Sequence, residues 1–395
     1  MRINLALANI TNNPAKAVLS LAGIGVAIVL VFMQLGFRGA VENTAINIYQ
    51  RLDFDILVRS TDYLHFTDNG SFEESILYEL KSIEGVQSVN RMMVSVGGWQ
   101  VDRGKLLGQE KGVMLLGFDL DESLFSDEKI VSQLPHLVAV DSLLVDSKTH
   151  REFGPINGVR FSEADVGRMV RISGTPTTIS GVFSMGAGLA ANGAGIVSLD
   201  GFFHLLPVFP RNRVTFGLVK VADGEDPEIL TGRLRQQFRV DVNQADFSRV
   251  EIMSRQEVLD RELIRWLQET PIGFIFNLGV GVALIVGASI VYMVLSNDVA
   301  DRLHEYATLQ AMGYTLYDLS GVVLRQAVYL ALFAFIPSLA AAWGLYGVTS
   351  ALANIELEMN WLRILLVFLL TLLMCCFSGC LALRKLWQAA PADLF

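Results

Sequence analysis

The side chains best placed to do chemistry lie in one polar stretch, Asn297-Asp298-Val299-Ala300-Asp301-Arg302-Leu303-His304-Glu305-Tyr306-Ala307-Thr308-Leu309-Gln310-Ala311-Met312-Gly313-Tyr314. Acids at its start suit a helix N-terminus. Leu303, Tyr306, Ala307 and Gln310 share one helical face, and Gly313 suits the position just past a helix end. The pattern predicts a short helix parallel to the inner membrane surface. Catalytic constellations elsewhere are incomplete. Gly104-Lys105 is followed by Leu106, so there is no Gly-x4-Gly-Lys-Ser/Thr loop with a hydroxyl for Mg²⁺. His65, His136, His150, His204 and His304 lack a His-Glu-x-x-His spacing, and no Gly-x-Ser-x-Gly elbow occurs. Cys375, Cys376 and Cys380 sit in an apolar run with no His or carboxylate beside them, which reads as packing and leaves no metal site. The run Gly186–Gly195 lacks the context of a phosphate cradle and reads as a flexible loop between strands.

The elements that must carry this stretch are apolar. Of the 395 residues, positions 39–270 hold 33 acidic and 23 basic side chains, while the other 163 positions share only 15 charges. A single soluble globular enzyme is excluded. Four stretches reach the roughly 20 apolar residues needed to cross a bilayer. The expected organisation is an amphipathic N-terminal helix (1–16), a first span (17–38), an α+β domain (39–270) and a second span (271–296). A polar segment (297–321), a third span (325–347) containing Pro337, a short loop (348–361), a fourth span (362–383) and a tail (384–395) follow. Arg2, Lys16, Arg302, Arg325, Arg384 and Lys385 mark the cytoplasmic side. Both termini are then cytoplasmic and the large domain is outside, with Arg38 and Arg363 snorkelling from span ends.

Within the large domain, strand-like stretches (53–58, with period-two alternation, 86–101, 112–118, 137–145 and 214–221) mix with helix-like ones (72–83 and 256–268). The fold class is a membrane protein of four transmembrane α-helices with a large α+β domain between the first and second. The apolar runs 17–37, 272–295, 327–346 and 364–383 hold no Asp, Glu, Lys, Arg or His, which argues against an internally powered pump. Gly279, Ala283 and Gly287 recur every four residues on the second span, a stripe that admits another backbone, from this chain or a second copy. A net charge of −9 without a basic cluster excludes nucleic-acid binding.

With this topology, residues 297–314 resemble the coupling segment of FtsX/MacB-type ABC transporter permeases, and most closely the Dev-type (DevC-like) permeases of cyanobacteria. Val31-Phe32-Met33-Gln34-Leu35-Gly36-Phe37-Arg38 is similar to the end of their first span, and Ala389–Phe395 to their closing Pro-x-x-x-Leu pattern. The resemblance implies a non-catalytic, multi-pass inner-membrane subunit that dimerises and binds no cofactor itself. A separate cytoplasmic ATPase would hold ATP and Mg²⁺ and meet Asp298, Asp301, Arg302, Glu305, Tyr306, Leu309, Met312 and Gly313. Glu305 matches the acid of the family motif, and His304 stands where Dev-type relatives have Pro. The resemblance further implies a periplasmic adaptor, a TolC-like outer-membrane channel, and export of an amphiphile such as a glycolipid by mechanotransmission. Within the same fold, a lipoprotein-releasing permease or an FtsX-like regulator of cell-wall enzymes is the alternative.

Overall fold

The computed structural model describes residues 14–102, 106–121, 124–186, 191–238, 250–353 and 357–388. The expected helix at Met1–Asn13, the Gly104-Lys105 fragment, residues 187–190 of the glycine-rich run and the tail Ala389–Phe395 lie outside the described residues. The chain forms two units, one of residues 41–266 and one from the flanking segments 1–40 and 267–395.

Helix α1 (Pro14–Arg51) carries the first apolar run and continues past it. The inserted domain follows, with β1 (Ile56–Ser60), β2 (Phe72–Glu73), α2 (Ser75–Lys81), β3 (Val86–Gln100), β4 (Glu110–Phe118), α3 (Glu128–Val131) and β5 (Ser142–Asp146). Next come β6 (Met169–Ile172), β7 (Thr175–Phe183), β8 (Ala194–Ser198), α4 (Leu199–Leu205), β9 (Arg213–Val214), β10 (Phe216–Val221), α5 (Pro227–Gln237), β11 (Val250–Ser254) and α6 (Arg255–Ile264).

The main sheet runs β11-β1-β10-β3-β4-β8-β5-β7-β6, and the end of β3 also pairs with β6. Strand β3 is long enough to serve two bodies. Its first half pairs with β10 in an open antiparallel sheet. Its second half pairs with β4 and β6, closing six strands into a ring. The ring is filled by Trp99, Phe153, Phe161, Leu115, Leu143 and Ile179. Helices α2 and α5 cover one face of the open sheet through Leu77, Leu80, Leu230 and Leu234. On the opposite face, Ile48 and Tyr49 pack with Leu57, Met92 and Phe216.

Several sequence expectations change here: the strand expected over 137–145 is extended only from Ser142, after a 3-10 turn at Leu134–Leu137, and the helix expected over 72–83 begins at Ser75, after β2. The alternation over 53–58 suggests a strand with one wet face, yet every residue of β1 is buried. Cover on both faces removes the need for polar residues on either. The run Gly186–Gly195 is not loop throughout, because Ala194 and Gly195 belong to β8, buried between β4 and β5. Asp146 accepts from the backbone N–H groups of Lys148 (2.9 Å), Met185 (3.2 Å) and Gly186 (2.5 Å) and holds the start of that run.

In the membrane-type unit, α7 (Pro271–Asp301), α8 (Leu303–Ala311), α9 (Leu316–Ala353) and α10 (Trp361–Gln388) complete the chain. Helices α1, α7, α9 and α10 are long and apolar enough to cross a membrane. Helix α9 runs through Pro337 without a break. The small-residue stripe has its partners within the chain. A Cβ on Gly279 would lie 2.5 Å from Gln34 Cδ, and one on Gly287 would lie 2.8 Å from the Ala27 Cβ and 3.2 Å from Met374 Cε. Ala283, between them, is buried. Van der Waals packing of this kind, rather than hydrophobic exclusion, joins helices in lipid. The arginines at the span ends have polar partners: Arg38 donates to Asn277 Oδ1 at 3.0 Å, and Arg363 to the Glu358 carbonyl.

Candidate functional site

Residues 297–314 do not form one helix. The helical ladder of α7 runs on to Asp301, so Asn297, Asp298 and Asp301 occupy its last turns instead of opening the next helix. This corrects the expectation that these acids cap an N-terminus. The break comes at Arg302, whose backbone (φ −110°, ψ 12°) leaves the helical region.

An acid at a helix C-terminus faces the negative end of the dipole and is disfavoured there. Two neighbours offset that cost. Asp298 Oδ2 accepts from Gln326 Nε2 at 2.6 Å, and Arg302 Nε stands 3.6 Å from Asp298 Oδ1. Gln326 is buried in α9, so Asp298 ties the end of α7 to α9. Replacing Asp298 with Ala strips Gln326 of an acceptor and is expected to lower stability by about 1–3 kcal/mol. Asp298→Asn keeps an acceptor and loses less. Thermal unfolding in detergent reads both.

Helix α8 leans inward through Leu303, Tyr306 and Leu309, which pack with Val299, Leu319, Val323 and Leu383. Tyr306 is only 4% exposed, and Leu309 is half-buried. These two candidate contact residues serve to seat α8. Helix α8 ends in a Schellman motif, with Gly313 N–H on the Gln310 carbonyl (2.9 Å) and Tyr314 N–H on the Leu309 carbonyl (3.1 Å). Gly313, at φ +95°, takes the left-handed position this motif requires. Thr315 and Asp318 then cap α9 reciprocally: the Thr315 N–H donates to Asp318 Oδ2 (3.0 Å), and the Asp318 N–H to Thr315 Oγ1 (3.2 Å).

Several side chains of this segment stay exposed: Met312 (66%), Tyr314 (50%) and Tyr317 (82%) after α8, and Asp301 and Glu305 at its start, where Arg302 Nη1 lies 3.4 Å from Glu305 Oε2. Exposed apolar and aromatic side chains set between two caps suit docking to a protein. Among the candidate residues, sequence alone missed Tyr314, Tyr317 and Gln326. Two tyrosines in six residues between a short amphipathic helix and a long apolar one were the available signal for the first two. Gln326 stood at the edge of an apolar run and gave none. Among the described residues, no group of His, Cys, Asp or Glu could hold a metal ion.

Four membrane-capable helices with one large α+β domain after the first define a multi-pass membrane protein. The MacB-like periplasmic core domain model matches residues 17–237, and the FtsX-like permease C-terminal model matches residues 277–391. The chain belongs to this FtsX/MacB family of ABC transporter permeases. Among solved structures it is similar to the periplasmic region of MacB from Actinobacillus actinomycetemcomitans, at 14% identity and a TM-score of 0.34, covering 54% of this chain and 95% of that one. It is also similar to the extracellular domain of the noncanonic ABC-type transporter YknZ from Gram-positive bacteria, at 13% identity and 0.31, covering 51% and 98%. Membership rests on the sequence models, not on these superpositions. Among curated proteins, no match was found.

Proposed function

We propose that this chain is the transmembrane subunit of an ABC exporter that passes ATP-driven movement from a separate cytoplasmic ATPase to its periplasmic domain. The observation that carries the reading is the exposure of Met312, Tyr314 and Tyr317 around the two caps, with Asp301 and Glu305 exposed earlier in the same segment. Its sequence lacks a phosphate-binding Gly-Lys-Ser/Thr loop, so the energy must come from a partner. Asp298, Asp301, Arg302, Glu305, Met312 and Gly313 then form or support the ATPase contact, and Tyr306 and Leu309 hold it in shape. On this reading both termini are cytoplasmic, the subunit acts as a homodimer, and ATP and Mg²⁺ bind only to the ATPase. An adaptor and an outer-membrane channel complete the route for an amphiphile, as in the Dev-type assemblies the sequence resembles.

The test is co-purification of the ATPase from native membranes. Aromatic residues at the centre of an interface commonly carry 2 kcal/mol or more, so Tyr317→Asp combined with Met312→Asp is expected to reduce the recovered ATPase more than about tenfold. Undiminished recovery with both substitutions overturns the docking surface.

A further inference from the structure

Residues 41–266 begin with the last turns of α1, itself membrane-capable, and end with α6, which leads through residues 265–270 to the membrane-capable α7. A helix end leaves its last carbonyls without intrahelical partners. At the end of α1 those carbonyls are taken by one side chain from the other end of the domain. Arg255, the first residue of α6, donates from Nη2 to the Gln50 carbonyl (3.0 Å) and the Tyr49 carbonyl (3.4 Å). Its Nη1 donates to the carbonyls of Leu52 (2.9 Å) and Phe54 (3.1 Å). The Arg255 backbone N–H adds a bond to the Asp55 carbonyl at 2.8 Å. The Arg51 carbonyl is met by Ser126 N–H at 2.9 Å. A guanidinium fixes two pairs of acceptors with one rigid group, and its charge suits the negative end of α1.

Beside this cap lies a buried ionic group. Arg59 on β1 is 1% exposed, 3.2 Å from Glu262 of α6 and 3.0 Å from Glu251 of β11, with its guanidinium 3.8 Å from the centre of the Tyr63 ring. The Tyr63 hydroxyl meets the Tyr49 hydroxyl of α1 at 2.9 Å. Helix α6 starts with a capping box from Ser254 and Glu257, so Arg255 is itself held in place.

We propose that Arg255 is a positioning residue that clamps the extension of the first span to the extension of the second, so that the two enter the domain as one lever. The clamp rests on the transmission reading above. With it closed, a change in the separation of the two spans is not absorbed at residues 49–55 and must move the sheet through β1 and β11. With it open, α1 and α6 move independently and the domain is left behind.

The test uses the full chain with its ATPase in nanodiscs, the three cysteines replaced by serine. Spin labels are placed at Ala300, on the last turn of α7, or at Ile229, exposed on α5. Distances between the two copies are measured with and without trapped nucleotide. In the unaltered chain both positions shift. In Arg255→Gln the shift at Ala300 remains and the shift at Ile229 is lost; Arg255→Lys, whose single ammonium cannot span both carbonyl pairs, shows a reduced Ile229 shift and guards against misfolding of the first variant. An unchanged shift at Ile229 in both variants overturns the clamp while leaving the transmission reading standing. No shift at Ile229 in the unaltered chain overturns transmission itself, and the clamp with it.

Discussion

Gly273→Ala is expected to destabilise this protein more than any other glycine-to-alanine change in its spans. A π-helical turn (Arg265–Glu269) precedes α7, and Thr270 is extended (φ −98°, ψ 153°) before Pro271 starts the helix. This elbow brings the Leu267 backbone against Gly273. A Cβ there would lie 2.5 Å from Leu267 Cα and closer still to its carbonyl group. Backbone atoms have no rotamer to move to, so the π turn must open. Overpacking of this kind costs on the order of 3 kcal/mol. Gly281, two turns further along α7, is the control: a Cβ there meets nothing within 4 Å. Gly281→Ala should be neutral or better, since alanine is favoured over glycine in a helix by about 1 kcal/mol. Thermal unfolding of the two variants in the same detergent decides the matter, and equal midpoints would show that the elbow does not form.

Arg59→Ala has the second large expected effect. It leaves Glu262, 2% exposed, without the cation 3.2 Å away, whereas Glu251 keeps Arg261 at 3.5 Å. Breaking a buried pair from one side costs about 3–5 kcal/mol. The double change Arg59→Met with Glu262→Leu removes both charges and should recover most of the loss. Burial already pushes the Glu262 carboxyl above its ordinary range, opposed by the Tyr63 hydroxyl, Arg59 and Arg265. Without Arg59 the upward push is less opposed. A carboxyl whose folded value is raised holds its proton in the folded state more firmly than in the unfolded one. The Arg59→Ala chain is therefore relatively more stable at acid pH and loses stability as pH rises from the unfolded carboxylate value through the folded one. An unfolding series against pH should show this fall, and the Glu262→Leu background should abolish it. A pH-independent defect would mean that Glu262 is not the stranded charge.

Sequence alone determined the class of this protein. Four apolar runs, a charge-rich insert after the first and the polar turn after the second are one-dimensional patterns, because lipid demands some 20 apolar residues in a row wherever the chain folds. The Gly313 stop was legible for the same reason, since its motif is local. Pairing was not. That α7 runs on to Asp301 depends on Gln326 and Arg302 closing around Asp298, and Gln326 is 28 residues away. That Tyr306 faces inward depends on Leu319 and Leu383. The complete burial of β1 and the closure of β3 onto β6 come from strand partners far along the chain. Arg255 looked like an ordinary basic residue until four carbonyls some two hundred positions earlier arrived beside it. Element type follows from period and composition, which neighbours in the chain supply; which polar groups meet is settled only when folding brings distant segments together and each buried donor must find an acceptor.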